Sequence, residues 1–296
     1  MAKIYYVDVA VPADKKKRKK HKTHAVFDGS KVFRVKRLTE LEDAAEVLID
    51  ALFPELYDEV LELLKRGVRV YLLKDPIRLK RLRMENNMKK SDESDAMLLT
   101  RISRERFRLL SIKEVELKTR MWPLINEYEQ TMKWKKTLKR LMNRNSIAHH
   151  FEEVLRFMER DRERLSREII RQVANLPVYG EVYRKACEML GVKNSAELAI
   201  LTLELPLHLP LCGLKGLLGL NPNRTGGRFN HRLRHHLAVF AAGLYMNSRK
   251  RVGVSDKIVE IINNLPRWQA IIRLELMALK ALRIAYLTTM KPLTGG

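Results

Sequence analysis

Between residues 109 and 173 the chain contains no glycine and a single proline, Pro123. Those are the two residues that most readily end a helix. The stretch is also rich in Lys, Arg, Glu and Leu, with Leu, Ile and Met at helical spacing. Such a run predicts long antiparallel helices or a short coiled-coil arm. It divides the chain into residues 1–108, an arm over 109–173, and residues 174–296. Pro177 and Gly180 interrupt the pattern, and a second helical region runs from there to about residue 290. Within it, residues 221–230 (NPNRTGGRFN) form the most loop-like stretch.

The first segment has a different texture. Residues 4–11 (IYYVDVAV) predict a strand with an acid, Asp8, in its middle. Residues 24–27 and 31–37 flank Asp28-Gly29 and predict a hairpin. Residues 15–22 (KKKRKKHK) are a block of like charge at the first turn, expected to stay solvated. Residues 38–46 have helical spacing, and residues 47–49 predict a short buried strand ending at Asp50. An amphipathic helix over 54–66 stops at Gly67. A strand over 68–73 follows, then a turn at Asp75-Pro76 and a helix starting near Ser91. Strands alternating with helices imply an α/β layer architecture.

Charge narrows the function. Lys and Arg number 58 against 35 Asp and Glu, a formal net charge of +23. That imbalance argues for a polyanionic partner and against an ordinary small-metabolite enzyme. A hydrophobic share of 46% excludes a disordered basic tail. Cys187 and Cys212 are too few for a disulfide framework or a cysteine zinc site. The N-terminus lacks a charged stretch followed by an apolar core, so no secretory signal is expected. Glu204, Pro206, Pro210 and Lys215 break the most apolar region, so no membrane partner is expected either. Nucleic acid is the expected partner.

Four carboxylates are candidates for chemistry. Asp92 and Asp95 lie in residues 90–96 (KSDESDA), and a spacing of three puts both on one helical face. If the strands carrying Asp8 and Asp50 are neighbours, those two could meet the helical pair. Four converging acids repel unless a cation neutralises them. Mg²⁺ or Mn²⁺ suits such hard oxygen ligands and phosphate chemistry. The bland alternative makes Asp92 a helix cap and Asp95 a favourable first-turn charge.

These residues resemble the DEDD transposases of the insertion-sequence-110 family over nearly the whole chain. The strand with Asp8 is similar to that family's opening "GIDVSK"-type strand. Asp50, Gly67, residues 68–73 and Asp75-Pro76 fall in matching order, and residues 90–96 resemble its "K-T-D-x-x-D-A" signature. Residues 218–227 (LGLNPNRTGG) resemble its "AGLxPxxxxSGG" segment, residues 230–245 the helix after it, and residues 271–290 its closing helix. Residues 177–204 look like a worn form of its helix-hairpin-helix region.

The resemblance implies an α/β RNase H-like (RuvC-like) domain, a helical arm used in subunit contacts and a C-terminal all-α transposase domain. It further implies a DNA recombinase, in several members guided by an element-encoded RNA, with a composite site in a dimer or tetramer. A cytoplasmic, nucleoid-associated prokaryotic protein is expected. Asp8, Asp50, Asp92 and Asp95 would hold the metal. The family's second acid is normally Glu, where this chain has Asp50. Thr225 stands where the family's nucleophilic serine would be, and a threonine hydroxyl has a more crowded approach. A relative that only binds structured RNA or DNA, and a metal-dependent nuclease or junction resolvase, remain alternatives.

Beside the resemblance, residues 224–228 make sense as a phosphate site, the alternative from the residues alone being a plain Gly-Gly turn with solvent-facing arginines. Gly226 and Gly227 allow close backbone approach, while Arg224 and Arg228 could bind the anion bidentately. Arg232 beside them is expected on a nucleic-acid-facing surface, with His231 and His235 too few for zinc. Lys15, Lys16, Lys17, Arg18, Lys19 and Lys20 are expected to grip a phosphate backbone without reading sequence. His149 and His150 are expected on the surface. Trp122, Trp134 and Trp268 are expected in core or interface packing.

Overall fold

The structure is a computed structural model that describes residues 3–10, 23–75, 77–144, 151–221, 229–249 and 256–290. The chain divides into two compact units, Met1–Pro123 and Leu124–Gly296.

The first unit is built on a mixed six-stranded sheet in the order β3-β2-β1-β4-β5-β6. Strands β1 (Lys3–Asp8), β2 (His24–Phe27) and β3 (Val32–Val35) pair antiparallel, as their sequence predicts. The β2–β3 turn is held by Asp28, whose Oδ1 accepts the Ser30 and Lys31 amides at 2.9 and 2.8 Å. Gly29 there has φ +94°, a conformation that favours glycine. Strand β4 (Ala44–Ile49) lies parallel to β1, β5 (Arg69–Leu73) parallel to β4, and β6 (Phe107–Leu109) antiparallel to β5.

Alternation along the strands gives the sheet two apolar faces. Tyr5, Val7, Val47, Ile49 and Val70 pack on one side with Tyr57, Val60 and Leu63 of α1 (Tyr57–Lys65). Leu48 and Leu73 pack on the other with Leu79 and Leu82 of α2 (Ile77–Glu85) and Leu98 of α3 (Asp92–Leu98).

Three details correct the sequence reading. Residues 38–46 form only a single 3₁₀ turn, Leu38–Glu40, before β4 begins at Ala44. At Ala44–Glu46 helical spacing yields to pairing with β1, and Glu46 is paired on its other edge with Arg69 of β5 as well. Strand β1 ends at Asp8, so that acid is the strand's last residue rather than its middle. Helix α2 and the three-residue β6 left no clear pattern, the first because it is so basic and the second because it is so short.

Among its described residues the second unit contains only helices. Helix α4 (Ile112–Arg144) and α5 (Glu152–Ala174) are the long helices expected of residues 109–173. The division between the units falls within α4, at Pro123. The other helices are α6 (Pro177–Leu190), α7 (Ala196–Glu204), α8 (Leu211–Leu217), α9 (His231–Arg249), α10 (Asp256–Asn264) and α11 (Arg267–Met290). Leu165, Ile169 and Val173 are the buried stripe of α5, which packs on α6 and α7. Residues 109–173 are therefore shared between the units rather than standing apart.

Gly180 explains the close approach of α6 to the end of α5: a Cβ there would lie 2.3 Å from the Ala174 carbonyl oxygen. Ser195 caps α7, which is buried from Ala196 to Leu203, and α11 packs on α6 and α9. Among the described residues, no helix is long and apolar enough to cross a membrane.

Candidate functional site

The fold brings the four acids of the first unit together. Parallel pairing of β1 and β4 sets Val7 opposite Ile49, so Asp8 and Asp50 leave the sheet side by side at the same end. The Val9 amide donates to Asp50 Oδ1 at 2.9 Å, which pins that carboxylate across the strand pair. Helix α3 packs over β1 and β2. Its N-cap is Ser91, whose hydroxyl accepts the Ser94 amide at 3.0 Å. That cap relieves Asp92 of the role, and Asp95, one turn on, is buried at 5% exposure. The reading of Asp92 as the cap therefore fails, while Asp95 does stand as an acid in the helix's first turn.

Electrostatics show how tightly the acids stand. The Asp8 carboxyl is pushed well above the usual carboxylate range, first by burial and then by the charges of Asp50, Asp95 and Asp92. Asp50 is also raised, chiefly by burial, against hydrogen bonds that favour its charged form. Burial raises Asp95 as well, opposed by Arg83 and Lys90. Two arginines stand beside the group. Arg83 Nε lies 3.2 Å from Asp95 Oδ1, and Arg34 Nη2 lies 3.4 Å from Asp92 while also pairing with Glu93.

The donor set fits a hard divalent cation. Asp95 Oδ1 is buried and makes no hydrogen bond, because Arg83 approaches it outside hydrogen-bond geometry. The cation beside that oxygen is Arg83 itself, 3.2 Å away, so the oxygen does not by itself call for a metal ion. Among the described residues no three His, Cys, Asp or Glu side chains stand in metal-cage geometry. The fit rests on the mutual repulsion of the acids and on their all-oxygen chemistry.

The other expected site residues divide. Lys15, Lys16, Lys17, Arg18, Lys19, Lys20, Arg224, Thr225, Gly226, Gly227 and Arg228 lie outside the described residues, as do His149 and His150. Arg232 corrects the sequence reading: its guanidinium pairs with Glu129 at 2.6 Å and with both oxygens of Glu204, so its charge is spent inside the fold. One turn on along α9, the buried His236 extends this network. Its ring lies between Glu129, at 2.9 Å, and Glu197, which also accepts from the Tyr128 hydroxyl at 2.8 Å. Burial works against the charged ring, but Glu129 and Glu197 outweigh it and lift His236 to about 9. Sequence reasoning missed this histidine, although Leu233, Leu237, Phe240 and Leu244 place it on the apolar face of its helix.

Helices α4, α5 and α9 also line an open groove of about 840 Å³. Lys133, Lys136, Lys139, Arg140, Arg162 and His235 face it, over the Glu129–Arg232 pair. Trp122 packs on the sheet core as expected, whereas Trp134 and Trp268 are exposed. Compared with known proteins, the chain matches no family model and no curated sequence.

Proposed function

We propose that this chain is a transposase of an insertion element, a DNA recombinase that resembles the insertion-sequence-110 family, acting with a structured guide RNA. The observation that carries the reading is the convergence of Asp8, Asp50, Asp92 and Asp95 from two neighbouring parallel strands and a helix. An RNase H-like (RuvC-like) fold for the first unit is supported by the order of its sheet. An antiparallel β3-β2-β1 set continues into parallel β4 and β5, and the acids stand at the ends of β1 and β4.

Asp8, Asp50, Asp92 and Asp95 would hold Mg²⁺ or Mn²⁺, which would polarise a scissile phosphate and promote attack by a hydroxyl. The chain's own residues do the positioning. The Val9 amide fixes Asp50, and the Ser91 cap fixes the start of α3 and with it Asp92 and Asp95. Arg83 holds Asp95 in the site until a cation or a phosphate competes for it. Thr225 is the proposed nucleophile, with Arg224 and Arg228 on the phosphate. The basic groove of the second unit suits a nucleic-acid backbone, and a dimer or tetramer would complete a composite site.

The test has two stages. Nucleic acid that copurifies at moderate salt is sequenced, and a single discrete RNA encoded beside the gene is the expected result. That RNA then programmes strand-exchange assays with Mg²⁺. Asp95→Ala should abolish cleavage and exchange, and Thr225→Ala should abolish exchange. Cleavage that survives Thr225→Ala and not Asp95→Ala would replace the transposase with a carboxylate-only nuclease. A smear of cellular RNA and DNA would remove the guide.

A further inference from the structure

The end of the sheet that carries the acids continues past β4. Ile49 pairs with Leu72, and Leu73 pairs with Phe107, so the row of Asp8 and Asp50 runs on to the end of β5 and the start of β6. There the Lys74 amide donates to the Arg106 carbonyl at 2.9 Å and closes the edge. A cleft of about 430 Å³ opens at this point, lined by Arg78 and Arg81 of α2, Arg101, Ser103 and Arg106 before β6, and Asp75 after β5.

Most arginines of this unit are already neutralised. Arg34, Arg66, Arg69, Arg83, Arg104 and Arg108 each lie within ion-pair distance of a carboxylate. The cleft differs. Arg78 has Glu85 at 3.6 Å, and Arg101 donates to the uncharged amide of Asn86, which leaves its charge uncancelled. Arg81 and Arg106 make no side-chain ion pair or hydrogen bond among the described residues. Even with Glu85 on Arg78, four guanidiniums against Asp75 and Glu85 make a concave site of excess positive charge. Arginine keeps that charge at any working pH and matches a phosphate bidentately.

We propose that this arginine cleft is a second phosphate-binding site, holding a backbone phosphate of the nucleic-acid strand that is cut at the carboxylates. The row geometry sets the span. Arg106 follows Asp50 by two strand spacings, about 10 Å, so the phosphate held in the cleft flanks the reacting one on the same strand. The cleft fixes the strand's register and carries no sequence information. The proposal rests on the reading of the acids as the cleavage site, but its binding test does not.

The experiment titrates full-length protein with a fluorescent single-stranded DNA oligonucleotide in EDTA over a range of salt. The double substitution Arg81→Gln and Arg106→Gln should weaken binding about tenfold. It should also make the slope of log K against log salt shallower by about 0.7, the value for one single-strand phosphate contact. Arg81→Lys with Arg106→Lys should restore the slope and only part of the affinity, since lysine keeps the charge and loses the fork. Matching thermal melts show that the variants fold.

An unchanged affinity and slope in the double glutamine variant would overturn the cleft. Asp95→Asn is measured alongside. If it binds normally and loses Mg²⁺-dependent cleavage, the catalytic reading stands whatever the cleft does. If cleavage persists, that reading fails and the cleft is judged on binding alone.

Discussion

In the α/β unit Asp8, Asp50, Asp92 and Asp95 crowd together with Arg83 and Arg34 beside them, and one buried Asp95 oxygen stays without a hydrogen bond. In the helical unit Glu129, Glu197 and Glu204 are instead threaded by Arg232 and His236, with Tyr128 closing the end. The direction of titration separates the two groups. Asp8 and Asp50 are raised chiefly by burial, with like-signed neighbours adding to it, while Glu129 is lowered despite its burial because His236 and Arg232 face it. Burial works against the charged form in both groups, and at Glu129 the internal cations outweigh it.

The comparison can be broken in three ways. Arg232→Ala would leave Glu129 and Glu204 buried without their arginine. The helical unit should lose about 3–5 kcal/mol, as for other broken buried pairs, read by chemical denaturation. A loss below about 1 kcal/mol would show that the network contributes little.

Mg²⁺ comes next. At a hundredfold excess over its dissociation constant it should stabilise the wild-type protein by about 2.7 kcal/mol, seen as a rise in melting temperature. Asp8→Asn should lose that rise. Without metal it should melt no lower than the wild type, because it removes a like charge from the group. An Asp8→Asn protein still stabilised fully by Mg²⁺ would detach the acids from the metal.

The smallest effect is a pH dependence. His236 is lifted from its ordinary 6.5 to about 9, so the folded state holds a proton that the unfolded chain releases between those values. That contribution is complete below pH 6.5 and is lost as pH rises through 9. His236→Gln should flatten that decline. The same slope in wild type and variant would mean that the ring is neutral in the fold.

Much of this architecture was legible in residue order. Strands β2 and β3 follow from their flanking Asp28-Gly29 turn, and α4 and α5 from the lack of glycine between residues 109 and 173. The candidate acids were legible too. An acid at the end of an apolar strand and two acids three apart on a helix are patterns of local chemistry. What stayed hidden depended on neighbours. Residues 44–46 became strand because β1 runs alongside them. Arg232 looked like a surface cation until Glu129 and Glu204, 103 and 28 residues before it, closed on it.

The sequence by itself determined the local conformations and the inventory: which segments twist into strands, which wind into helices, and that the chain carries +23 of net charge. Only the tertiary structure decided which charges meet. It set Asp8 beside Asp50 through the β1–β4 register, cancelled Arg232 inside the helices, and left Arg81 and Arg106 facing an open cleft. The physical reason is range. Backbone preference is settled within a few residues, whereas the strength and even the direction of an electrostatic effect depend on distance and burial, which exist only once remote segments have packed.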